Sequence, residues 1–520
     1  VINQPESSYP LLQVDMPETL EVQSSQTIKV VGFFAGLFVF ILCVLLPPPS
    51  ELSAEAWNTA AITLLVSIWW MTEPIPIPVT SLLPIALFPL FGVGTVAQNA
   101  SPYAHPMIFL FLGGFLIALG MQRWNLHRRI ALRIVRAIGT KPRNIILGFM
   151  VSSALLSCWI SNTAATLMML PVALSVVELV PNDKNPLTGV SQGDRFTTAL
   201  LLGLAYAASI GGLGTLIGTP TNTLLVGFVS DQYGFEISFV QWMMMGIPFV
   251  IIALPVAFFM LTRIAFPVDL PELPGGKEMI DGEIEKMGPI TKPEMIVAGV
   301  FTLTAILWIT RPYLQSIVPG LSDTGIALLA AAALFAIPLD LKKGIFIMNW
   351  EWGVKVPWGV LLLFGGGLSL AGAIARTGLA AWVGGGLSAL SGWPLFMLIA
   401  LGVMLVIFMT ELASNSATAA AFLPILASLA IVGLGENPLL FLIPATFAAS
   451  CAFMLPAATP PNAIVYGSEK LSIQQMAKGG VLINLVFIVL ITAVAYLLIM
   501  PLFGIELGQL PAWVQGGGSN

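Results

Sequence analysis

The sequence predicts an all-α polytopic membrane protein of about eleven transmembrane helices plus two re-entrant hairpins, arranged as an inverted-topology repeat. Three observations carry that prediction. The 520 residues are 57% apolar and only 9% charged, with a mean hydropathy of +0.92, far from soluble composition. Many separate apolar stretches, among them Ile28 to Leu46, Gln241 to Leu261 and Val481 to Met500, reach the length needed to cross about 30 Å of hydrocarbon. Small polar motifs also recur at matched register in the two halves of the chain.

Residues 1–27 have no basic segment leading directly into an apolar core and cleavage site, so they read as a cytoplasmic tail, not a cleaved signal. The first half, 28–265, opens spans near Ile28, Trp57, Val79 and Met107. Glu73-Pro74-Ile75-Pro76 reads as a rigid turn. After Met121 comes a basic run, Arg123, Arg128, Arg129, Arg133, Arg136, Lys141 and Arg143, which places this end in the cytoplasm. Leu126, Ile130, Ile134 and Ile138 follow helical spacing among these cations, so the run reads either as a helix lying on the lipid surface or as a plain topology determinant. Nucleic acid is not an expected partner.

Residues 145–180 are apolar but broken midway, and the first arm, Ile145 to Leu156, would be roughly 18 Å long as a helix, too short to cross. A re-entrant hairpin fits that length. An interrupted helix over 197–230 and a span from Gln241 complete the half. Residues 266–292, with Pro274, Gly275, Gly276 and mixed charges, form the expected cytoplasmic linker. The second half, 293–505, opens spans near Met295, Thr324, Trp358, Pro438 and Val481. It repeats the hairpin over 394–434 and the interrupted helix over 438–467. Residues 506–520 are expected outside, and the terminal Gly516-Gly517-Gly518-Ser519-Asn520 reads as an appended tail. This threading puts Lys184, Arg195, Arg263, Lys342, Lys343, Lys355, Lys470 and Lys478 inside and only Arg311 and Arg376 outside.

The repeat is legible residue by residue. Ser157-x-x-x-Ser161-Asn162-Thr163 precedes Pro171 as Thr410-x-x-x-Ser414-Asn415-Ser416 precedes Pro424. Gly113-Gly114 and Gly365-Gly366 lie upstream of each, and Gly218-Thr219-Pro220-Thr221-Asn222 answers Ala458-Thr459-Pro460-Pro461-Asn462 downstream. Five crossings separate corresponding elements, so the halves are inverted relative to one another, as in many secondary transporters.

Broken backbone within hydrocarbon leaves polar groups unsatisfied, and such breaks survive where they line a cavity. Four occur, at Ser157 to Thr163, Gly211 to Asn222, Thr410 to Ser416 and Pro456 to Asn462, and they are expected to converge near the midplane. Freed carbonyls and hydroxyls suit a hard cation such as sodium: Ser157, Ser161, Asn162 and Gly218 on one side, Thr410, Ala413, Asn415 and Ala458 on the other. Helix N-termini suit an anion, with Ser161, Asn162, Thr163, Ser414, Asn415 and Ser416 as donors to two carboxylates. No lysine or arginine lies in any of the four breaks, so bound sodium must supply the positive charge. A single Ser-Asn-Thr is ordinarily helix packing; its duplication beside Gly/Pro-interrupted helices argues for function. Glu411 has no acidic counterpart in the first repeat, where Cys158 stands, and reads as hydrogen-bonded structure ahead of a proton carrier.

Cys43, Cys158 and Cys451 show neither disulfide nor metal spacing and read as core thiols. His105 and His127 stand alone and read as structural. An intramembrane enzyme would need a nucleophile with a base or a metal cluster, and no such set is present in the sequence; closed duplicated hairpins argue against a channel.

Trp159-Ile160-Ser161-Asn162-Thr163-Ala164-Ala165-Thr166, Gly212-Leu213-Gly214-Thr215, Thr410-Glu411-Leu412-Ala413-Ser414-Asn415 and Ala458-Thr459-Pro460-Pro461-Asn462-Ala463 together resemble the divalent anion/sodium symporter family, which includes INDY-type sodium-coupled dicarboxylate transporters. The resemblance covers essentially the whole membrane region. It implies symport of a C4-dicarboxylate with two or more sodium ions, a homodimer with scaffold and transport domains, elevator-like motion, and a bacterial plasma membrane location. It repeats the two sodium-ligand sets above and adds Thr219, Pro220, Thr459 and Pro460 as substrate contacts. Relatives commonly carry Ser-Asn-Thr at the second tip; Ser416 keeps the hydroxyl and drops a methyl, which leaves citrate and sulfate open as substrates and sodium-independent exchange as the alternative mode.

Overall fold

The computed structural model describes residues 21–49, 51–180, 191–270, 272–273 and 275–516. The expectations for the tail before Glu21, for Lys184 and for residues 517–520 fall outside them. Seven described helices are long and apolar enough to cross a bilayer: Gln26–Leu45, Val96–Arg123, Phe239–Ala265, Lys292–Leu314, Trp358–Arg376, Asn415–Leu434 and Ile473–Phe503. Shorter apolar helices are Ile77–Leu90, Asn162–Val177, Asp323–Ala336, Leu395–Thr410 and Leu439–Ala449, beside Ala54–Thr72 and Gln192–Gly212.

Burial follows from lipid as the solvent. Ile28, Val31, Phe34, Phe38 and Leu45 on the first helix are exposed, because apolar side chains facing hydrocarbon need no cover. In contrast, every residue of Gln192–Gly212 from Phe196 onward is buried, which puts this helix at the centre of the molecule.

Each half holds one hairpin and one interrupted helix. The first hairpin is Pro142–Ser157 and Asn162–Val177, turning through 158–161. The second is Leu395–Thr410 and Asn415–Ser428, turning through 411–414. Its returning arm differs from the sequence expectation: a π-turn over Leu429–Leu434 prolongs it, giving 20 continuous residues, enough length to span. The interrupted helices are Gln192–Gly212 with Pro220–Tyr233, and Leu439–Ala449 with Pro460–Tyr466. The short arms cross over. Pro220–Tyr233 packs on Asn415–Ser428, whereas Pro460–Tyr466 packs on Asn162–Val177. The second break opens at Ser450, well before the Pro456 that marked it in sequence.

The basic run forms the helix Leu126–Ile138, and of its expected apolar stripe Leu126 is buried while Ile130, Ile134 and Ile138 are half-buried. Leu126, Ala131, Leu132 and Val135 are buried against the first hairpin arm, with Ser152 donating to the Ala131 carbonyl at 3.0 Å. The linker contributes its own helix, Gly276–Lys286, and its acids take the arginines: Arg128 to Glu283 at 2.6 Å and Arg136 to Asp281 at 2.8 Å. Arg129 is buried, donates to Glu294 at 2.7 and 3.2 Å, and reaches the Gly288 and Met287 carbonyls. Acidic residues on two neighbouring helices thus pair with three of these arginines. At the other end Arg311 pairs with Asp323 at 2.8 Å and Arg376 donates to Asn99 Oδ1 at 3.1 Å.

Candidate functional site

All ten residues expected to contact substrate lie at helix starts. Ser161, Thr219, Ser414 and Thr459 are the N-cap residues, and Asn162, Thr163, Pro220, Asn415, Ser416 and Pro460 occupy the first helical positions. Thr219, Ser414 and Thr459 make no side-chain cap, whereas Ser53, Ser191, Ser238, Thr291 and Ser472 each cap the helix they precede. Of these, the start at Asn415 leaves its first N–H groups for a ligand, where the helix dipole favours an anion; the start at Pro220 lacks the first N–H, and that at Pro460-Pro461 has none to give, since Asn462 N and Ala463 N bond to the Thr459 carbonyl. Ser161 is the exception, since its Oγ accepts from Ala164 N at 3.2 Å.

The residues expected to hold cations lie beside these starts. One terminal atom of the Asn162 amide lies 2.6 Å from Ser157 Oγ, 3.2 Å from the Ala208 carbonyl and 3.3 Å from the Gly218 carbonyl. With Nδ2 at that position the amide donates to all three, the orientation that the surrounding acceptors call for, and Ser157 Oγ with the Ala208 and Gly218 carbonyls forms one oxygen cluster around it. In the second half Thr410 Oγ1 is 2.8 Å from Asn415 Oδ1 and 2.8 Å from the Ala449 carbonyl. Ala413 is buried in the turn between them, and Ala458 is buried at the close of the second break.

The repeat extends to hydrogen bonding. Asn222 Nδ2 donates to the Gly212 and Thr215 carbonyls at 2.9 and 2.7 Å, and Asn462 Nδ2 to those of Ala452 and Leu455 at 3.1 and 3.0 Å. Each amide bridges its own break. The two breaks touch: Thr221 Oγ1 and Ser450 Oγ are 2.7 Å apart. This contact, with the crossed packing of the short arms, joins the two breaks; neither Thr221 nor Ser450 is among the residues expected to hold substrate or sodium.

Four contributors were not singled out in sequence. Ala208 and Ala449 act through backbone carbonyls, which no side chain announces. Tyr206 donates to the Phe453 carbonyl at 2.6 Å, and Asn484 donates to Glu411 at 2.7 Å. Asn484 left a usable signal, an amide within the apolar run Val481 to Val494. His105 and His127 are structural: His105 caps Met107 N and His127 Nδ1 meets the Met121 carbonyl at 3.0 Å. Cys43, Cys158 and Cys451 are free and buried.

Duplicated hairpins and interrupted helices enclosing polar groups in an apolar body define a secondary transporter. The chain belongs to the sodium:sulfate symporter family, whose transmembrane region matches residues 27–505. It is 43% identical over 485 residues to the sodium-dependent dicarboxylate transporter SdcS of Staphylococcus saprophyticus, covering 92% of this chain and 93% of that one. The SdcS protein of Staphylococcus aureus strain bovine RF122 is likewise 43% identical, with the same coverage. Among solved structures, the Alcanivorax borkumensis YdaH transporter superposes with a TM-score of 0.55 at 13% identity, over 87% of this chain and 99% of that one. Neisseria gonorrhoeae MtrF gives 0.54 at 13% identity, over 92% and 96%. These two bear on the fold alone.

Proposed function

We propose that this chain is a sodium-coupled symporter of C4-dicarboxylates such as succinate, fumarate and malate. The observation that carries the reading is the pairing of oxygen clusters around Asn162 and Thr410 with the uncapped helix start at Asn415, in breaks that hold no lysine or arginine. Ser157, Ser161, Asn162 and Gly218 hold one sodium, and Thr410, Ala413, Asn415 and Ala458 the other. Ser161 contributes through its backbone, its hydroxyl being engaged as a cap. The anion rests against the starts at Asn162, Thr163, Pro220, Asn415, Ser416 and Pro460 with their caps Ser161, Thr219, Ser414 and Thr459. A sodium ion about 5 Å from a carboxylate, at an effective dielectric near 20, contributes about 3 kcal/mol, more than a hundredfold in affinity. Binding the cation first therefore forms the anion site.

The names of the staphylococcal relatives support both the dicarboxylate and the sodium dependence. The family description keeps sulfate as the second reading. The domain plan is part of the proposal: repeat halves over 28–265 and 293–505, the linker 266–292 inside, the C-terminal segment 506–520 outside, and a homodimer in a bacterial plasma membrane whose transport domain moves as an elevator. Radiolabelled succinate uptake into proteoliposomes, with an inward sodium gradient, with potassium in its place, and with succinate preloaded, tests the reading. Uptake driven by sodium alone and competed by fumarate but not sulfate supports it. Uptake that needs internal succinate and ignores sodium makes the chain an exchanger.

A further inference from the structure

The two breaks are held open by different means. In the first, glycines make room: a Cβ at Gly211 or Gly218 would meet backbone, at Gly212 the Asn162 amide and at Gly214 the Cys158 sulfur. Thr215 Oγ1 donates to the Cys158 carbonyl, and Cys158 Sγ to the Gly211 carbonyl at 3.2 Å. The second break, Ser450 to Thr459, contains no glycine. Its N–H groups go to a carboxylate. Glu411 Oε1 accepts from Phe453 N at 2.7 Å and Met454 N at 3.0 Å; Oε2 accepts from Met454 N at 3.0 Å and Leu455 N at 3.1 Å. Asn484 Nδ2 adds a bond of 2.7 Å to Oε1, and Tyr206 Oη holds the carbonyl of the same Phe453 at 2.6 Å. Every partner of the carboxyl is a donor, so the ionised group is the one this cage fits.

We propose that Glu411 is a positioning residue, a fixed anionic post that shapes the second break and gives the cation site at Thr410, Ala413, Asn415 and Ala458 a negative charge that the first site lacks. The inference rests on the sodium reading above. Glu411 is bonded in sequence to Thr410, and the segment it grips, Phe453–Leu455, leads directly into Ala458. Cys158 occupies its place in the other half and carries no charge partner. The two sites, alike in oxygen donors, then differ in electrostatics. The second fills at the lower sodium concentration, and its filling orders the tip against which the anion binds. A burial that would be costly for an unpaired carboxylate is offset by the donors gathered on it.

The test uses the full-length chain in detergent, without substrate, following the thermal unfolding midpoint as sodium chloride replaces choline chloride at constant ionic strength. For the wild type a sodium-dependent rise is expected; no rise overturns both this inference and the sodium reading. For Glu411→Gln the sodium concentration giving half the effect rises about tenfold, equivalent to about 1.4 kcal/mol. In proteoliposomes its KM for succinate at saturating sodium stays within about twofold of wild type. A wild-type sodium response in a folded Glu411→Gln protein, while the parent responds, overturns the inference and leaves the sodium reading standing. Tyr206→Phe loosens the same peptide without touching the charge; it lowers the midpoint but leaves the sodium dependence unchanged, and a shift equal to that of Glu411→Gln overturns the electrostatic role. If Glu411→Gln does not fold, Asn484→Leu decides. Removing that donor leaves the backbone clamp and unmasks charge, so the half-effect concentration stays level or falls, and a rise overturns the inference.

Discussion

Replacing Gly218 by alanine would put a Cβ 2.8 Å from the Ser157 carbonyl oxygen and 3.0 Å from Gly212 C, with the Gly212 oxygen nearer still. All three are backbone atoms, so none can swing aside as a side-chain end does. Overpacking of this kind costs about 1–3 kcal/mol. The strain falls on the Gly218 carbonyl and on Ser157, two of the oxygen carriers around Asn162. The fold tolerates a cost of that size, but a cation cluster set to a few tenths of an ångström does not. The variant is expected to fold and to need about tenfold more sodium for half-maximal succinate uptake. The same position in the second half is already Ala458, where the Glu411 clamp shapes the break. Ala458→Gly should therefore cost only about 0.5–1 kcal/mol of backbone entropy, with sodium dependence little changed. Sodium titrations of uptake in proteoliposomes, paired with thermal midpoints, read both. Unaltered sodium dependence in a folded Gly218→Ala protein would refute the reasoning.

Three further predictions follow from contacts outside that cluster. Arg129→Met alone strands Glu294, a buried carboxylate whose side chain is 3% exposed, and should cost about 3–5 kcal/mol in detergent unfolding; pairing it with Glu294→Gln should recover part of the loss. Burial raises the Glu283 carboxyl, but Lys286 and Arg128 outweigh it and hold it below the usual carboxylate range. Its folded pKa is thus depressed, so the stabilisation is present above about 4.3 and lost as pH falls through the lowered value; the distance between spin labels on Leu126–Ile138 and Gly276–Lys286 should widen there and not at neutral pH. Trp159 at the first tip meets Phe301 edge-on at 4.9 Å and stacks on Phe239 at 6.2 Å. Its replacement by alanine should remove about 0.5–1.5 kcal/mol per aromatic pair beyond area and change the turnover rate more than the sodium requirement.

How far the sequence could be read depended on where the information resides. Hairpins and interrupted helices were legible because Ser, Asn, Gly and Pro in an apolar run are expensive and therefore conspicuous. Asn222 and Asn462 were found by their matched spacing, and the bonds they make across each break explain it. The second break was placed too late because Ser450-Cys451-Ala452-Phe453-Met454-Leu455 carries no helix breaker. What unwinds it is Glu411, remote in the chain. The ion pairs of Leu126–Ile138 were not legible for a related reason: periodicity gave its apolar face, while the partner acids Asp281, Glu283 and Glu294 lie on two other segments. Ala208 and Ala449 accept only through main-chain oxygen, which composition does not mark.

In the proposed symport, cations supply the charge that the anion site lacks. Calorimetric titration of the purified chain with succinate, at a series of sodium concentrations under constant ionic strength, measures that directly. The predicted result is a Kd that falls by about tenfold or more as sodium rises to saturation. A Kd that is the same in sodium and in choline would contradict it.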